Sequence, residues 1–469
     1  MLAELRPYPA IKHSGMPWLG EIPEHWETAR NGRLFTQRNQ TGFAELPILE
    51  VSIRAGARVR NMEPSGRKQV MSEREKYKRA CAGDIAYNTM RMWQGAVGAA
   101  PVDGLVSPAY VVARPVAGIN SAYFERVFRL PEYMDEVNRC SRGIVSDRNR
   151  LYWEDFKQIA SPLPPPGEQT AIVRFLDHAD RRIRRYIRAK QKLIKLLEEQ
   201  KQAIVHRGVT RGLEPNVRLK PSGVEWLGNV PEHWELKKLR QCGKVAGGLT
   251  PSMENRRFWD GAIPWVTPKD MKREAICDSS IRVAEAAIRE TSLRLIDPPA
   301  VLIVVRGMIL ARRVPIAWIT GPVTINQDMK ALKPTSEINA EFLARSLESA
   351  QDAFVPLIDE AGHGTRRLPT ERWRDLVVAT PPEREQASIA TFLNESTCAI
   401  VATMDRARRQ IALLREYRTR LIADVVTGKL DVRAAAAQLP DEPPEPDEPI
   451  DAEPDTADDL DAIPEEAAV

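Results

Sequence analysis

Apolar positions along this chain follow two alternating patterns, and the alternation occurs twice. Short β-branched and aliphatic runs at Ile48–Ile53, Leu105–Val112, Ala300–Val305 and Ile316–Ile319 lie between Gly and Pro turns and predict strands. Helical spacing near 121–138 and near 337–356 predicts a helix in each region. Each region stops at a proline cluster, Pro164-Pro165-Pro166 or Pro381-Pro382, and a Glu-Gln pair follows in the next turn, as helix starts favour. Long heptad patterns then begin. The first carries Ile183, Ile187, Ile194, Leu197 and Ile204, with Lys190 and Lys201 at two sites of the series. The second carries Ile400, Met404, Ala407, Ile411, Leu414 and Leu421, with Arg418 equivalent to Lys201. Sustained heptads predict a coiled coil rather than a surface helix. About 38 residues per helix give a rod of roughly 57 Å.

The pattern repeats because the sequence does. KHSGMPWLGEIPEHWE at 12–27 and KPSGVEWLGNVPEHWE at 220–235 match at 11 of 16 positions. EQTAIVRFL at 168–176 echoes EQASIATFL at 385–393, and Ile119-Asn120 echoes Ile338-Asn339. Val209-Thr210-x-x-Leu213 echoes Val426-Thr427-x-x-Leu430. The offset grows from 208 to 219 and relaxes to 217, so the second half holds about ten extra residues in its middle. Two copies about 200 residues apart are two domains, not a solenoid. The expected fold is α/β of mixed α+β type, with two globular domains joined by a long antiparallel two-helix coiled coil and related by a pseudo-two-fold duplication. The paired Trp-Leu-Gly and Pro-Glu-His-Trp segments read as a structural clamp. Similar frames around dissimilar middles suggest one scaffold presenting two recognition surfaces.

Charge sharpens this picture. Net charge is +4, yet 13 of the 64 acidic residues fall in 441–469 and no Lys or Arg follows Arg433. Without that segment, 68 basic residues face 51 acidic ones, a balance that suits a polyanionic partner as well as ordinary solubility. The acidic Pro-rich segment has the composition of a disordered tail. The basic run from Arg181 to Lys195 is either a solvated face or a contact for nucleic acid or a partner. The five cysteines form no Cys-x-x-Cys pair and read as reduced core thiols, and no metal site is expected. No run spans a membrane and no signal segment opens the chain, so a cytoplasmic protein is expected.

Taken together, these motifs resemble the specificity subunit of type I restriction-modification enzymes. The carriers are the paired WLG-x-x-PEHW segments, FWDGAIPWVTPKDM at 258–271, RLYWEDFKQIASPLPPPGEQTAIVRFLD at 150–177 and its echo RLPTERWRDLVVATPPEREQASIATFLN at 367–394. The second half departs where Thr370-Glu371-Arg372-Trp373 replaces Trp153-Glu154-Asp155-Phe156, and the acidic tail lies outside the family pattern. The resemblance implies a first target-recognition domain over 1–163, a central helix over 164–213, a second recognition domain over 214–379, a distal helix over 380–433 and the tail over 434–469. It implies that each domain reads half of a split, asymmetric site in double-stranded DNA. It also implies two methyltransferase subunits and the restriction subunits as partners, with S-adenosylmethionine, ATP and Mg2+ on those partners and no cofactor on this chain.

Two other readings compete. A methyltransferase fused to its own recognition domain needs an aromatic ring after Asp/Asn-Pro-Pro to stack on a flipped base. Asp297-Pro298-Pro299 is followed by Ala300, and no Gly-rich cofactor turn precedes it. Gly243-Lys244-Val245 and Gly428-Lys429-Leu430 lack the rest of a phosphate loop. A non-specific architectural DNA binder would not need two different surfaces. Base edges and phosphates are held by Arg, Lys, amides and hydroxyls. The first-half candidates are Arg54, Arg58, Arg60, Arg67 and Lys68, with Asn88, Arg91, Trp93 and Gln94 in the loop after the strand at 84–87. The second-half candidates are Thr250, Ser252, Lys269, Lys272, Arg306, Arg312, Arg313 and Gln327.

Overall fold

The computed structural model describes residues 5–60, 74–143, 149–360 and 365–440. Arg67, Lys68 and the acidic segment from 441 lie outside the described residues. The chain divides into two compact units, one of residues 1–190 with 409–469 and the other of residues 191–408.

In the first unit β1 (Phe35–Arg38), β2 (Ile85–Asn88), β3 (Val97–Ala99) and β4 (Tyr110–Pro115) form an antiparallel sheet in the order β1-β4-β2-β3. The helix Ser121–Phe128 supplies Tyr123, Phe124, Val127 and Phe128 to the core, where Phe124 meets the ring of Phe35 and Phe128 meets those of Phe35 and Phe156. One helix was expected over 121–138, but there are two, because Pro131 has no N–H to continue the first and instead opens Pro131–Cys140. The apolar run Leu105–Val112 likewise splits into Gly104–Val106 and β4, at a turn closed by Tyr110 N–H donating to the Ser107 carbonyl at 2.9 Å.

The second unit repeats the plan. Here β5 (Gly243–Gly247), β6 (Ala275–Ile276), β7 (Val301–Val304), β8 (Ile316–Ile319) and β9 (Met329–Pro334) are ordered β5-β9-β7-β8-β6, with β6 added parallel to β8. Every residue of β7 is buried, which explains its unbroken aliphatic run. The halves differ beside this shared sheet. The first unit carries a hairpin of Leu49–Ser52 and Gly56–Val59. The second carries a three-stranded sheet of Trp259–Val266, Arg282–Val283 and Thr324–Ile325 over its own core of Phe258, Trp265, Val283, Ala287 and Leu293. The divergent Thr370-Glu371-Arg372-Trp373 forms the same short helix as Trp153–Phe156, with Trp373 buried where the first half buries Phe156.

The two long helices are Pro166–Arg211, of 46 residues, and Glu383–Val426, of 44. They exceed the expected 38 residues, and each begins at or just after its proline cluster, as expected, where a missing N–H costs nothing. Each is shared between the two units. In the first unit Ile172, Phe175, Leu176 and Ala179 share a core with Leu421, Val425 and Val426, and Asp180 accepts from Arg418. In the second unit Val205 and Val209 share a core with Ile389 and Leu393. A side chain at Gly208 would come within 3.0 Å of Leu393. Each unit therefore pairs the two helices antiparallel. The heptad residues Ile183, Ile187, Ile400, Met404, Ile411 and Leu421 are buried, and Ile194, Leu197, Ile204 and Leu414 are half-buried.

The expectation of core thiols holds for Cys242 alone. Cys81 and Cys140 are half-buried and Cys277 and Cys398 are exposed, because they lie on strand ends and helix faces turned outward. Among the described residues no helix is long and apolar enough to cross a membrane.

Candidate nucleic-acid interface

Each half holds its central sheet by the same clasp, and the clasp explains the repeated motifs. Trp26 is fully buried, and its indole N–H donates to Glu168 at 3.0 Å; His25 Nε2 donates to the other carboxylate oxygen at 2.8 Å. Trp234 and His233 bind Glu385 at the same two distances. The neighbouring Gln169 accepts from Asn120 N–H at 2.8 Å and donates to the Pro164 carbonyl, while Asn120 caps Ser121–Phe128. Gln386 accepts from Asn339 N–H at 2.8 Å and donates to Pro381, while Asn339 caps Ala340–Ser349. The Glu-Gln pair thus ties the Pro-Glu-His-Trp segment and the sheet-covering helix to the start of a long helix. His25 and His233 each tie their segment to the start of a long helix.

A glycine closes each clasp from the other long helix. Gly428 has φ +79°, and a Cβ there would come 2.3 Å from Pro23. Gly212 has φ +71°, and its Cβ would sit 3.1 Å from Trp234. Only glycine fits both the left-handed turn and the close approach at Gly428. In the first unit Tyr8 also donates to Glu168, and burial together with that carboxylate raises its pKa far above the ordinary phenol range. Asp431 N–H meets the Arg6 carbonyl at 2.8 Å, so the start of the described chain pairs with the segment after the last long helix.

A rim forms where the central strand of each sheet ends. In the first unit the turn 88–96 leaves β2. Asn88 Oδ1 accepts from Met90 N–H at 2.9 Å, and Trp93 donates its indole N–H to the Met90 carbonyl at 2.9 Å while packing on the core. Asn88 and Trp93 therefore shape the turn, Met92 is buried beneath it, Gln94 is half-buried, and Arg91 is exposed. Leu151 N–H donates to Thr89, which sets the pair Arg142 and Arg150 beside the turn. Arg129 reaches the carbonyls of Ile53, Arg54 and Val97, joining the tip of the 49–59 hairpin to the turn exit. That brings exposed Arg54 to this rim. Arg58 is held by Glu50, and Arg60 continues the hairpin, its N–H donating to Ile48.

In the second unit the turn 305–315 leaves β7 in the equivalent place, three residues longer than its counterpart between the paired strand positions. Leu368 N–H donates to Val305 at 2.8 Å and Gly307 N–H to Arg366 at 3.0 Å, which sets Arg366 and Arg367 beside Arg306. Val305 N–H donates to Asp328 at 2.8 Å, next to Gln327, which accepts from the Thr250 hydroxyl. Thr250, Gln327 and Arg306 are thus gathered at one sheet end, with exposed Arg312 on the same turn. Arg313 is engaged by Glu348 at 3.6 Å, and burial raises the pKa of that carboxyl. Lys269 and Lys272 are exposed on the connection from Trp259–Val266 to β6. Ser252 is exposed, its carbonyl accepting from Trp259 Nε1. Residue-type reasoning missed Arg142, Arg150, Arg366 and Arg367. The signal for Arg150 and Arg367 lay in the repeat, since Arg150-Leu151 and Arg367-Leu368 open the matching motifs, whereas Arg142 is held by Asp155 at 2.6 Å.

Comparison with known proteins agrees with this architecture. Residues 231–404 match the family described as type I restriction modification DNA specificity domain. The chain is 31% identical over 180 residues to the EcoR124I/EcoR124II specificity subunit of Escherichia coli, covering 38% of this chain and 45% of that protein. It is 31% identical over 175 residues to the MjaIX specificity subunit of Methanocaldococcus jannaschii, covering 36% and 39%. The matched stretches span less than half the length of these curated relatives. A solved chain from work on complex assembly and conformational transition of the type I restriction-modification system shares the fold. Its TM-score is 0.62 over 87% of this chain and 99% of that one, at 15% identity. Residues 231–404 thus match a type I restriction modification DNA specificity domain, and parts of the chain are similar to type I restriction enzyme specificity subunits.

Proposed function

We propose that this chain is the DNA-sequence specificity subunit of a type I restriction-modification complex, with each half reading one part of a split, asymmetric site. The observation that carries the reading is one scaffold used twice, with an equivalent turn leaving the central strand of each sheet and bearing different basic and polar side chains. On this reading residues 1–163 and 214–379 recognise DNA, 164–213 and 380–433 form the helical frame, and 434–469 form an acidic tail. The role is non-catalytic and cytoplasmic. Two methyltransferase subunits supply S-adenosylmethionine chemistry, and restriction subunits supply ATP- and Mg2+-dependent cleavage. A fused methyltransferase fits poorly, because Ala300 after Asp297-Pro298-Pro299 is buried where an aromatic ring would have to meet a base.

The test is to map methylated bases in host DNA with and without this gene. One split motif should vanish on deletion, and the purified chain should transfer no methyl group by itself. Methyl transfer by the chain free of partner, or an unchanged methylation map, refutes the proposal. Within the motif, Arg91→Ala should weaken discrimination at one base pair by about 1–3 kcal/mol if the guanidinium reads guanine. A uniform loss over all sequences marks a phosphate contact instead.

A further inference from the structure

The turn leaving β7 carries something the functional reading does not use. Met308 is 65% exposed and Ile309 is 38% exposed, side by side at its tip. The tip is rigidly built. Val305, Leu310 and Val314 are buried on either side, Gly307 N–H is tied to Arg366, and the Arg312 and Arg313 N–H groups both donate to the Ile309 carbonyl. The neighbouring Arg306, Arg312, Arg366 and Arg367 make no ion pair among the described residues. An aliphatic tip among guanidinium groups adds nothing to the core or to solubility. In the first unit the equivalent turn half-buries Met90 and exposes Arg91. The two turns share a position and differ in chemistry, as residues that set different sequences would.

Guanidinium groups of this kind anchor phosphates, and the apolar feature that a major groove offers is the thymine 5-methyl group. We propose that Met308, flanked by Ile309, contacts a thymine methyl in the half-site read by the second unit, and is a specificity-determining residue of this chain. The proposal rests on the DNA-recognition reading above. Burying one methyl group corresponds to about a fourfold preference.

The test uses the full chain assembled with its methyltransferase subunits, on duplexes carrying the methylation motif mapped in the host. Each thymine of the second half-site is replaced in turn by deoxyuridine, which removes only the 5-methyl group. One replacement should weaken binding about fourfold. Met308→Ser should bind the thymine and uracil duplexes alike, and Met308→Leu should keep the preference. Indifference of the unsubstituted protein to every replacement overturns the proposal while leaving the DNA-recognition reading intact. So does a Met308→Ser variant that keeps the preference. Loss of methyltransferase assembly in Met308→Ser, with DNA discrimination unchanged, also overturns it and makes the tip a protein contact. Absence of sequence-selective binding by the wild-type complex fails the underlying reading itself.

Discussion

Glu168 and Glu385 occupy equivalent positions in the repeat, yet the structure makes their removal unequal. Glu168 is 6% exposed and receives three donors, from Tyr8, His25 and Trp26. Glu168→Ala strands the fully buried Trp26 indole N–H and the nearly buried Tyr8 hydroxyl, each at about 1–3 kcal/mol, while His25 at 41% exposure turns to water. The expected loss is about 3–5 kcal/mol. Among the described residues Glu385 receives only His233 and Trp234; its side chain is 26% exposed and that of His233 is 48% exposed, so water replaces much of what is removed. Glu385→Ala should cost about 1–2 kcal/mol. The assay is native-state hydrogen exchange of the amides of Trp26 and Trp234, which close equivalent turns onto Pro23 and Pro231. A difference of about 2 kcal/mol separates their opening equilibria by about thirtyfold between the two variants. Equal loosening, or a Glu168→Ala effect below about 1 kcal/mol, refutes the argument that the third donor and the deeper burial decide the cost.

Other consequences follow from the same geometry. Gly428→Ala combines a left-handed φ with a Cβ driven into Pro23 and should destabilise by about 2–4 kcal/mol, against about 1–2 kcal/mol for Gly212→Ala; chemical denaturation of the two variants checks the order. Glu125 is half-buried, and desolvation raises its pKa above the ordinary carboxylate value despite Arg129. The folded state therefore binds its proton more tightly than the unfolded chain, and stability falls as pH rises from the ordinary carboxylate value through the raised one. Glu125→Gln should keep the bond from Ala99 N–H and abolish that slope in denaturation measured across the acid range. Replacing residues 28–150 with the matching region of another such protein should change one half-site of the methylated motif and leave the other; a joint change of both would refute independent reading.

Much was legible in the chain because its causes are local. The duplication, the proline-marked helix starts, the heptads and the strand runs each follow from backbone chemistry or hydrophobic period within a short window. The repeated Pro-Glu-His-Trp and Glu-Gln motifs were visible as motifs, but their meeting was not. His25 and Glu168 lie 143 residues apart, and only packing of the sheet against the long helix brings one to the other. The divergent Thr370–Trp373 segment looked like a departure from the repeat, yet it folds as its partner does, because one buried aromatic, Phe156 or Trp373, is what that position requires. The rim was the least legible part. Residue type alone ranked Asn88 and Trp93 beside Arg91, although two of the three are consumed in shaping the turn. It passed over Arg366 and Arg367, which reach Arg306 only through strand pairing across 60 residues. Sequence settles which side chains are available for recognition, but which of them are left unspent at the end of a sheet depends on tertiary hydrogen bonding and burial.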